Sequence, residues 1–161
     1  MPLDALRDVT IANRWQEVMH AVAAGEQCAV SSDNDFGTYW IEAGHRIREQ
    51  VANDPLLTKV LRQLLPPYGG DPITLYRGEN LARWQAKNLG FSWTEDPEVA
   101  RIFGRGLNAT RTGGVLLRGV FQSASIICGP NNHSNYLQEA QFTADPSMMP
   151  CLEILEEYPP L

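Results

Sequence analysis

Three places along this chain hold side chains whose types could act on a ligand. Arg77 follows the apolar run Ile73-Thr74-Leu75-Tyr76 and precedes Gly78. A guanidinium at such a point can meet an anion with planar, paired hydrogen bonds that a lysine would not reproduce. Phe91-Ser92-Trp93-Thr94 comes next. In a strand, alternation puts Ser92 and Thr94 on one face and Phe91 and Trp93 on the other, so two hydroxyls line a cleft while two aromatics anchor the strand. Glu139 is the only carboxylate between Glu98 and Asp145, and it opens a strand-like run after a polar loop. Taken singly, a strand-end arginine, strand hydroxyls and a strand-start glutamate are usually solvated. The weight lies in their ordered combination.

The elements that must position these residues follow from the hydrophobic period. The first 65 residues read as helices. Ile11, Trp15, Val18, Met19 and Val22 fall at helical spacing, with Gly25 as a stop, and Trp40, Ile47 and Val51 mark a second amphipathic stretch. Ser31 to Asp35 is turn chemistry. Asn53 or Asp54 before Pro55 caps a helix that faces inward through Leu56, Leu57, Val60, Leu61 and Leu64. Pro66-Pro67-Tyr68-Gly69-Gly70 cannot continue a helix and reads as a hinge. Beyond it the period shortens. Strands are expected at 73–77, ended by Gly78, and at 91–94, 115–121, 125–128, 139–144 and 151–158. Short helices are expected at 81–88 and, with Val99, Ile102 and Phe103 facing in, after the Asp96-Pro97 cap. Residues 129–135 read as a polar loop. The expected class is α+β: a helical N-terminal layer over residues 1–68, then a β-rich core over 71–161, in one compact domain.

Composition narrows the function. The chain has 161 residues, 43% of them hydrophobic, which suits a soluble globular protein. Thirteen basic against nineteen acidic residues give a net charge of -6, which argues against a protein whose main task is wrapping phosphate backbones. It leaves room for a local basic cleft. No stretch is long and apolar enough to span a membrane, and the N-terminal residues lack the pattern of a secretory signal, so a cytoplasmic location is expected. Cys28, Cys128 and Cys151 are too widely spaced for a CxxC pair, form no zinc pattern with His20, His45 and His133, and read as buried reduced thiols. No metal is expected. Gly104 to Ala109 fits GxGxxA, but a helix rather than a strand precedes it, so a dinucleotide fingerprint is rejected. Asp33-Asn34-Asp35-Phe36-Gly37 begins like a calcium loop, but Gly44 stands where the bidentate glutamate belongs.

The order Arg77, then Ser92-Trp93-Thr94, then Glu139 resembles the R-S-E class of mono-ADP-ribosyltransferases, small bacterial and phage members in particular. The resemblance spans about residues 73–145. It implies a core of two small β-sheets with an NAD cleft between them, and NAD as the substrate. It assigns Arg77 to the pyrophosphate and Gly78 to close approach by the cofactor. Ser92 and Thr94 would orient the nicotinamide ribose, and Glu139 would stabilise the positive charge that develops on that ribose as the nicotinamide bond breaks. Tyr76 is counted with the cofactor-binding residues. So is Phe103, as a stacking partner, although its spacing with Val99 suits a core position better. The loop before Glu139 sits where the family recognises its target, which makes Tyr136, Asn135, His133 and Gln138 candidates for target contact. Many arginine-modifying members carry an acidic or amide residue two positions before the glutamate. Here that residue is Leu137, followed by Gln138.

The target implied is a protein first, with nucleic acid as a further option. Two other readings stand beside the transferase: a non-catalytic binding or inhibitor protein on the same fold, and an NAD glycohydrolase that delivers ADP-ribose to water. A binding protein would depend on exposed aromatic anchors rather than on Glu139.

Overall fold

The hydrophobic period changes once along the chain, and the architecture changes with it. The computed structural model describes residues 2–26, 30 and 34–161. These divide into two compact units, 1–67 and 68–161, with the boundary inside the Pro66–Gly70 hinge segment.

The first unit is helical: α1 (Leu3–Ile11), α2 (Trp15–Ala23), α3 (Asn34–Val51) and α4 (Asp54–Leu64). Its core gathers Leu6, Trp15, Met19, Phe36, Tyr39, Trp40, Ile47, Leu57 and Leu61, all buried. Trp15 packs against Phe36 and Tyr39, with ring centroids 6.2 Å apart in each case. The indole N–H of Trp15 donates to Thr10 Oγ1 at 2.7 Å, and that hydroxyl lies 2.6 Å from Tyr39 Oη, so the polar atoms of this aromatic cluster are paired. Asn53 caps α4 by accepting from the Leu56 amide at 3.0 Å, with Pro55 in the first turn. Gly25 (φ 72) follows the end of α2 as expected. Two readings change. Ile11 is exposed, because α1 ends there and the chain turns through Asn13 (φ 54) before α2 begins. Asn34 and Asp35 start α3 rather than belonging to a turn; Ser31 to Asp33 and Cys28 lie outside the described residues.

The second unit contains β1 (Ile73–Asn80), α5 (Leu81–Gln85), β2 (Ser92–Thr94), α6 (Pro97–Arg105), β3 (Gly114–Phe121), β4 (Ile126–Cys128), α7 (Asn132–Tyr136), β5 (Gln141–Ala144) and β6 (Glu153–Tyr158). The strands form one six-stranded sheet in the order β4-β5-β2-β1-β3-β6, with every pairing antiparallel. The α+β class holds. The two-sheet core takes a different form. β1 and β3 pair along their whole length, from Ile73↔Phe121 to Asn80↔Gly114, and β2 pairs with β5 from Ser92↔Thr143 to Thr94↔Gln141. Between β1 and β2 the only register pair is Tyr76↔Thr94. The sheet therefore consists of two three-stranded halves, β4-β5-β2 and β1-β3-β6, joined at one point.

Alternation from these pairs gives each face its residues. One face carries the core: Leu75, Trp93, Val115, Leu117, Phe121 and Phe142, covered by Leu89 and bordered by Leu81, Trp84 and Leu152. Trp93 stacks obliquely on Phe121 at 4.8 Å and anchors β2 as expected. Each large side chain buried here contributes roughly 1.5–3 kcal/mol. The other face carries α6. Asp96 caps this helix by accepting from the Glu98 amide at 2.9 Å. Its buried positions are Ala100 and Gly104, not the expected Val99, Ile102 and Phe103; Ile102 is exposed, and Val99 and Phe103 are half-buried. The reason is the sheet beneath. A Cβ on Gly78 would overlap the Ala100 carbonyl and the Gly104 backbone, and one on Gly114 would overlap the Gly104 carbonyl. Helix and sheet meet backbone to backbone, which only small residues permit.

Further differences are local. β1 runs through Gly78 to Asn80, whose side chain accepts from the amides of Ala82 and Arg83 and starts α5. The polar loop contains α7, closed by a capping box between Asn131 and Ser134. Cys128 is buried as expected, but Cys151 is exposed. Among the described residues, no helix is long and apolar enough to cross a membrane.

Candidate active site

The sheet opens beside Tyr76↔Thr94, and Arg77 is the next residue of β1. Its side chain leaves on the core face, where an unpaired guanidinium would be costly. The sequence supplies the answer two residues on, because Glu79 points to the same face. Arg77 Nε donates to Glu79 Oε2 at 2.7 Å, and Arg77 Nη1 donates to the Ser92 carbonyl at 2.9 Å. A strand carbonyl of β2 that has no β1 amide opposite it is thus satisfied by an arginine reaching across the opening.

Glu79 is 1% exposed and accepts from three donors: Arg77 Nε, the Gly90 amide at 3.0 Å and its neighbour Asn80's amide at 2.9 Å. Burial pushes its carboxyl up, but the Arg77 charge and these hydrogen bonds together hold it below the usual carboxylate range. A Cβ on Gly90 would overlap Arg77 Nη2, so glycine is what lets the guanidinium lie flat against this loop. Arg83 on α5 approaches the same carboxylate, with Nε 3.8 Å from Glu79 Oε1.

Ser92 and Thr94 leave β2 on the opposite face from Trp93. The Ser92 side chain is half-buried; Thr94 is buried, and its Oγ1 accepts from the Asp96 amide at 3.1 Å, which helps to start α6. Tyr76 stands opposite Thr94 on that face, beside Arg118 of β3. Gly78 lies there too, under α6. The space above it holds the backbone of Ala100 and Gly104, so the close approach it permits is that of a helix and not of a cofactor. Phe103 is half-buried on α6, neither in the main core cluster nor free in solvent.

Glu139 lies between α7 and β5. Its amide donates to the Ser134 carbonyl at 3.0 Å. Both neighbours are non-glycine residues in the left-handed region, Gln138 at φ 59 and Ala140 at φ 42. The first follows a helix end, where such geometry is common, but Ala140 has no such reason and stores strain beside the carboxylate. Glu139 is half-buried, and burial pushes its carboxyl above the usual range while the nearby His133 imidazole pulls the other way. The residue of β5 opposite Thr94 is Gln141, two positions further on, so Glu139 stands beyond the Thr94 end of β2, with Ser92 further back along the strand.

The four expected target-contact residues divide. Tyr136, Asn135 and Gln138 are exposed, Tyr136 at 82%. His133 is half-buried and turned to the Glu139 side of α7, which makes it a neighbour of the carboxylate rather than a surface contact.

The structure thus joins Arg77 to the backbone of Ser92, leaves the Ser92 hydroxyl on the opposite face of β2 from Arg77, and sets Glu139 beyond the Thr94 end of that strand. One residue outside the sequence reading belongs to the site: Glu79, which had a legible signal, a lone acid at in-facing parity with Leu75 and Arg77, hidden by ending the strand at Gly78. Among the described residues no group of three His, Cys, Asp or Glu side chains is placed to hold a metal ion. Comparison of the chain with protein-family models, curated proteins and solved structures finds no match in any of the three.

Proposed function

We propose that this protein cleaves NAD at the nicotinamide–ribose bond and transfers ADP-ribose to a macromolecular target. The observation that carries the reading is the contact across the opened sheet: Arg77 and Ser92, fifteen residues apart, meet at 2.9 Å where the two half-sheets part. A guanidinium fixed at such an opening offers planar donors to a pyrophosphate without the entropic cost of ordering a free side chain. Glu139 is the reacting-centre carboxylate in this reading. As the C1′–N bond breaks, nicotinamide leaves as a neutral molecule and the ribose becomes oxocarbenium-like. A fixed carboxylate beside that charge lowers the barrier by about 3 kcal/mol or more. A target nucleophile then adds to C1′ and loses its proton; water in its place gives hydrolysis. Tyr136 and Asn135, exposed just before Glu139, are the target contacts, and a protein is the preferred target.

A second reading has its own observation. Arg77 is already bonded to Glu79 and to Ser92, as a purely structural arginine would be. A non-catalytic binding protein built on this core would owe nothing to Glu139.

The test is incubation with NAD labelled in the ADP-ribose portion, with and without cell lysate, comparing the wild type with Glu139→Gln. Released nicotinamide and label on protein that both vanish in the variant support the transferase. Nicotinamide release without labelled macromolecule moves the reading to a glycohydrolase. No turnover by a folded wild type, indistinguishable from the variant, gives the binding-protein reading.

A further inference from the structure

The run from Val99 to Gln138 holds four arginines, Arg101, Arg105, Arg111 and Arg118, and no carboxylate, in a chain whose net charge is -6. Acids of β6 answer two of them: Arg101 is matched to Glu156, with Glu98 beside it, and Arg118 to Glu153. Arg105 and Arg111 are exposed, and among the described residues neither has a carboxylate within ion-pair distance. Glu156, whose charge reaches Arg105, is already bonded by Arg101 and by the Tyr158 hydroxyl. The two unmatched cations stand on either side, along the chain, of Leu107, which is 77% exposed. Ile102 of α6, five residues before it, is 58% exposed.

The loop that presents Leu107 is tied down from beneath. Asn80 Nδ2 donates to the carbonyls of Asn108, Thr110 and Gly113 at 3.1, 3.0 and 3.4 Å. Asn108 Nδ2 donates to the Gly78 carbonyl at 2.6 Å, and the Leu161 amide donates to the buried Ala109 carbonyl at 3.1 Å. At Gly106 the chain turns so tightly that a Cβ would meet the Ile102 carbonyl at 2.8 Å, which is the use of the second glycine in the run from Gly104 to Ala109. Arg111 is held in the left-handed region, at φ 70. A single exposed leucine needs no explanation. A leucine on a fixed loop, with a second exposed aliphatic and two unmatched arginines close in sequence, has the make-up of an interface centre: the ordering cost is met before the partner arrives, and arginine is enriched at such surfaces. A nucleic acid suits it less, because a phosphate backbone offers no pocket to Leu107 and Ile102 and the net negative charge of the chain repels it.

We infer that the loop from Arg105 to Arg111 is a docking surface for a partner protein, and that the partner presents an acidic segment bearing apolar side chains. The inference goes beyond the NAD reading and does not depend on it, since none of these residues belongs to that site. Fluorescent probes are titrated with the protein in an anisotropy assay: a short peptide with leucines set among glutamates, the same peptide with lysines in place of the glutamates, and a single-stranded oligonucleotide of similar length. The wild type is expected to bind the acidic peptide about tenfold or more tightly than the lysine peptide, and less tightly as salt is added. The double variant Arg105→Gln/Arg111→Gln is expected to lose about tenfold in affinity for the acidic peptide and most of the salt dependence. Arg105→Lys/Arg111→Lys, which keeps both charges, retains most of the affinity. Leu107→Ser is expected to lose about tenfold as well, with the salt dependence kept. The substituted side chains are exposed, so the melting temperature of each variant should stay that of the wild type. No binding of the acidic peptide by the wild type, equal binding of the two peptides, or Gln and Ser variants that bind as the wild type does overturns the inference. Tighter binding of the oligonucleotide also overturns it and reassigns the two arginines to a phosphate backbone. Nicotinamide release is unaffected by any of these outcomes and tests the NAD reading alone.

Discussion

Replacing Glu79 with glutamine tests whether the opening in the sheet is held by charge. The carboxylate accepts from Arg77 Nε, the Gly90 amide and the Asn80 amide, and it is 1% exposed. Glutamine has the same shape, but its NH2 group must face at least one of those donors. In the cheaper orientation the NH2 takes the place of Oε1 and the Asn80 amide loses its acceptor; in the other, Arg77 Nε and Gly90 both do. One orphaned buried donor plus the lost charge assistance amounts to about 3 kcal/mol. At a urea slope of about 2 kcal/mol/M, the unfolding midpoint falls by roughly 1.5 M. The readout is urea unfolding followed by tryptophan fluorescence, to which buried Trp93 contributes from this unit. The pH dependence gives a sharper test. Glu79 is held below its ordinary value of 4.5, so its contribution is fully present above that pH. It is lost as pH falls through the lowered folded value. The variant lacks this titration, so the gap between the two proteins narrows below pH 4.5. A difference under about 0.5 kcal/mol at neutral pH, or a gap that does not change with pH, would refute the reasoning.

Three other outcomes follow. Gly78→Ala places a methyl group into the Ala100 carbonyl and the Gly104 backbone, and should destabilise the protein by roughly 3 kcal/mol, at the upper end of overpacking; calorimetric melting measures it, and an unchanged melting temperature would return Gly78 to a ligand-approach role. Thr10→Val removes the oxygen between the Trp15 indole N–H and the Tyr39 hydroxyl, and should cost about 2 kcal/mol in equilibrium unfolding. Because burial raises the Glu139 carboxyl above 4.5, nicotinamide release by an ionised Glu139 should fall off on the acid side at a pH above that value; a pH–rate profile with no such limb would remove Glu139 from the reaction.

How much of this was legible in the sequence depends on what kind of interaction decides each feature. Side-chain burial at a fixed period made α2, α3 and α4 readable but ran Ile11 on into α2 across the break at Asn13, and local capping chemistry gave Asn53 and Asp96 their roles. β1, β3 and the anchoring of Trp93 followed from alternation. α6 did not, because its orientation is set by the glycines of two distant strands, whereas the spacing of its own apolar residues favours Val99, Ile102 and Phe103 instead. α7 is five residues long and held by its capping box rather than by an apolar face, so no period announces it. At the site, residue types and order brought out Arg77, Ser92 and Glu139. Alternation gave the face of Ser92, but where Arg77 meets β2 was decided by the single β1–β2 pair, which leaves no mark in composition.

The bare contact between α6 and the sheet also bears on the order in which this unit assembles. A helix that docks through Leu and Val gains energy from any apolar surface it meets and can settle early on a half-formed sheet. α6 gains little in that way, because its buried positions are Ala100 and Gly104 and its receptor is the backbone of Gly78 and Gly114. Fit of this kind rewards only the finished partner: β1 and β3 must already lie side by side in register before the groove exists. α6 is therefore expected to dock late in folding. Substitutions at Ala100 should speed unfolding and leave the folding rate nearly unchanged, whereas substitutions in the β1–β3 ladder should slow folding itself.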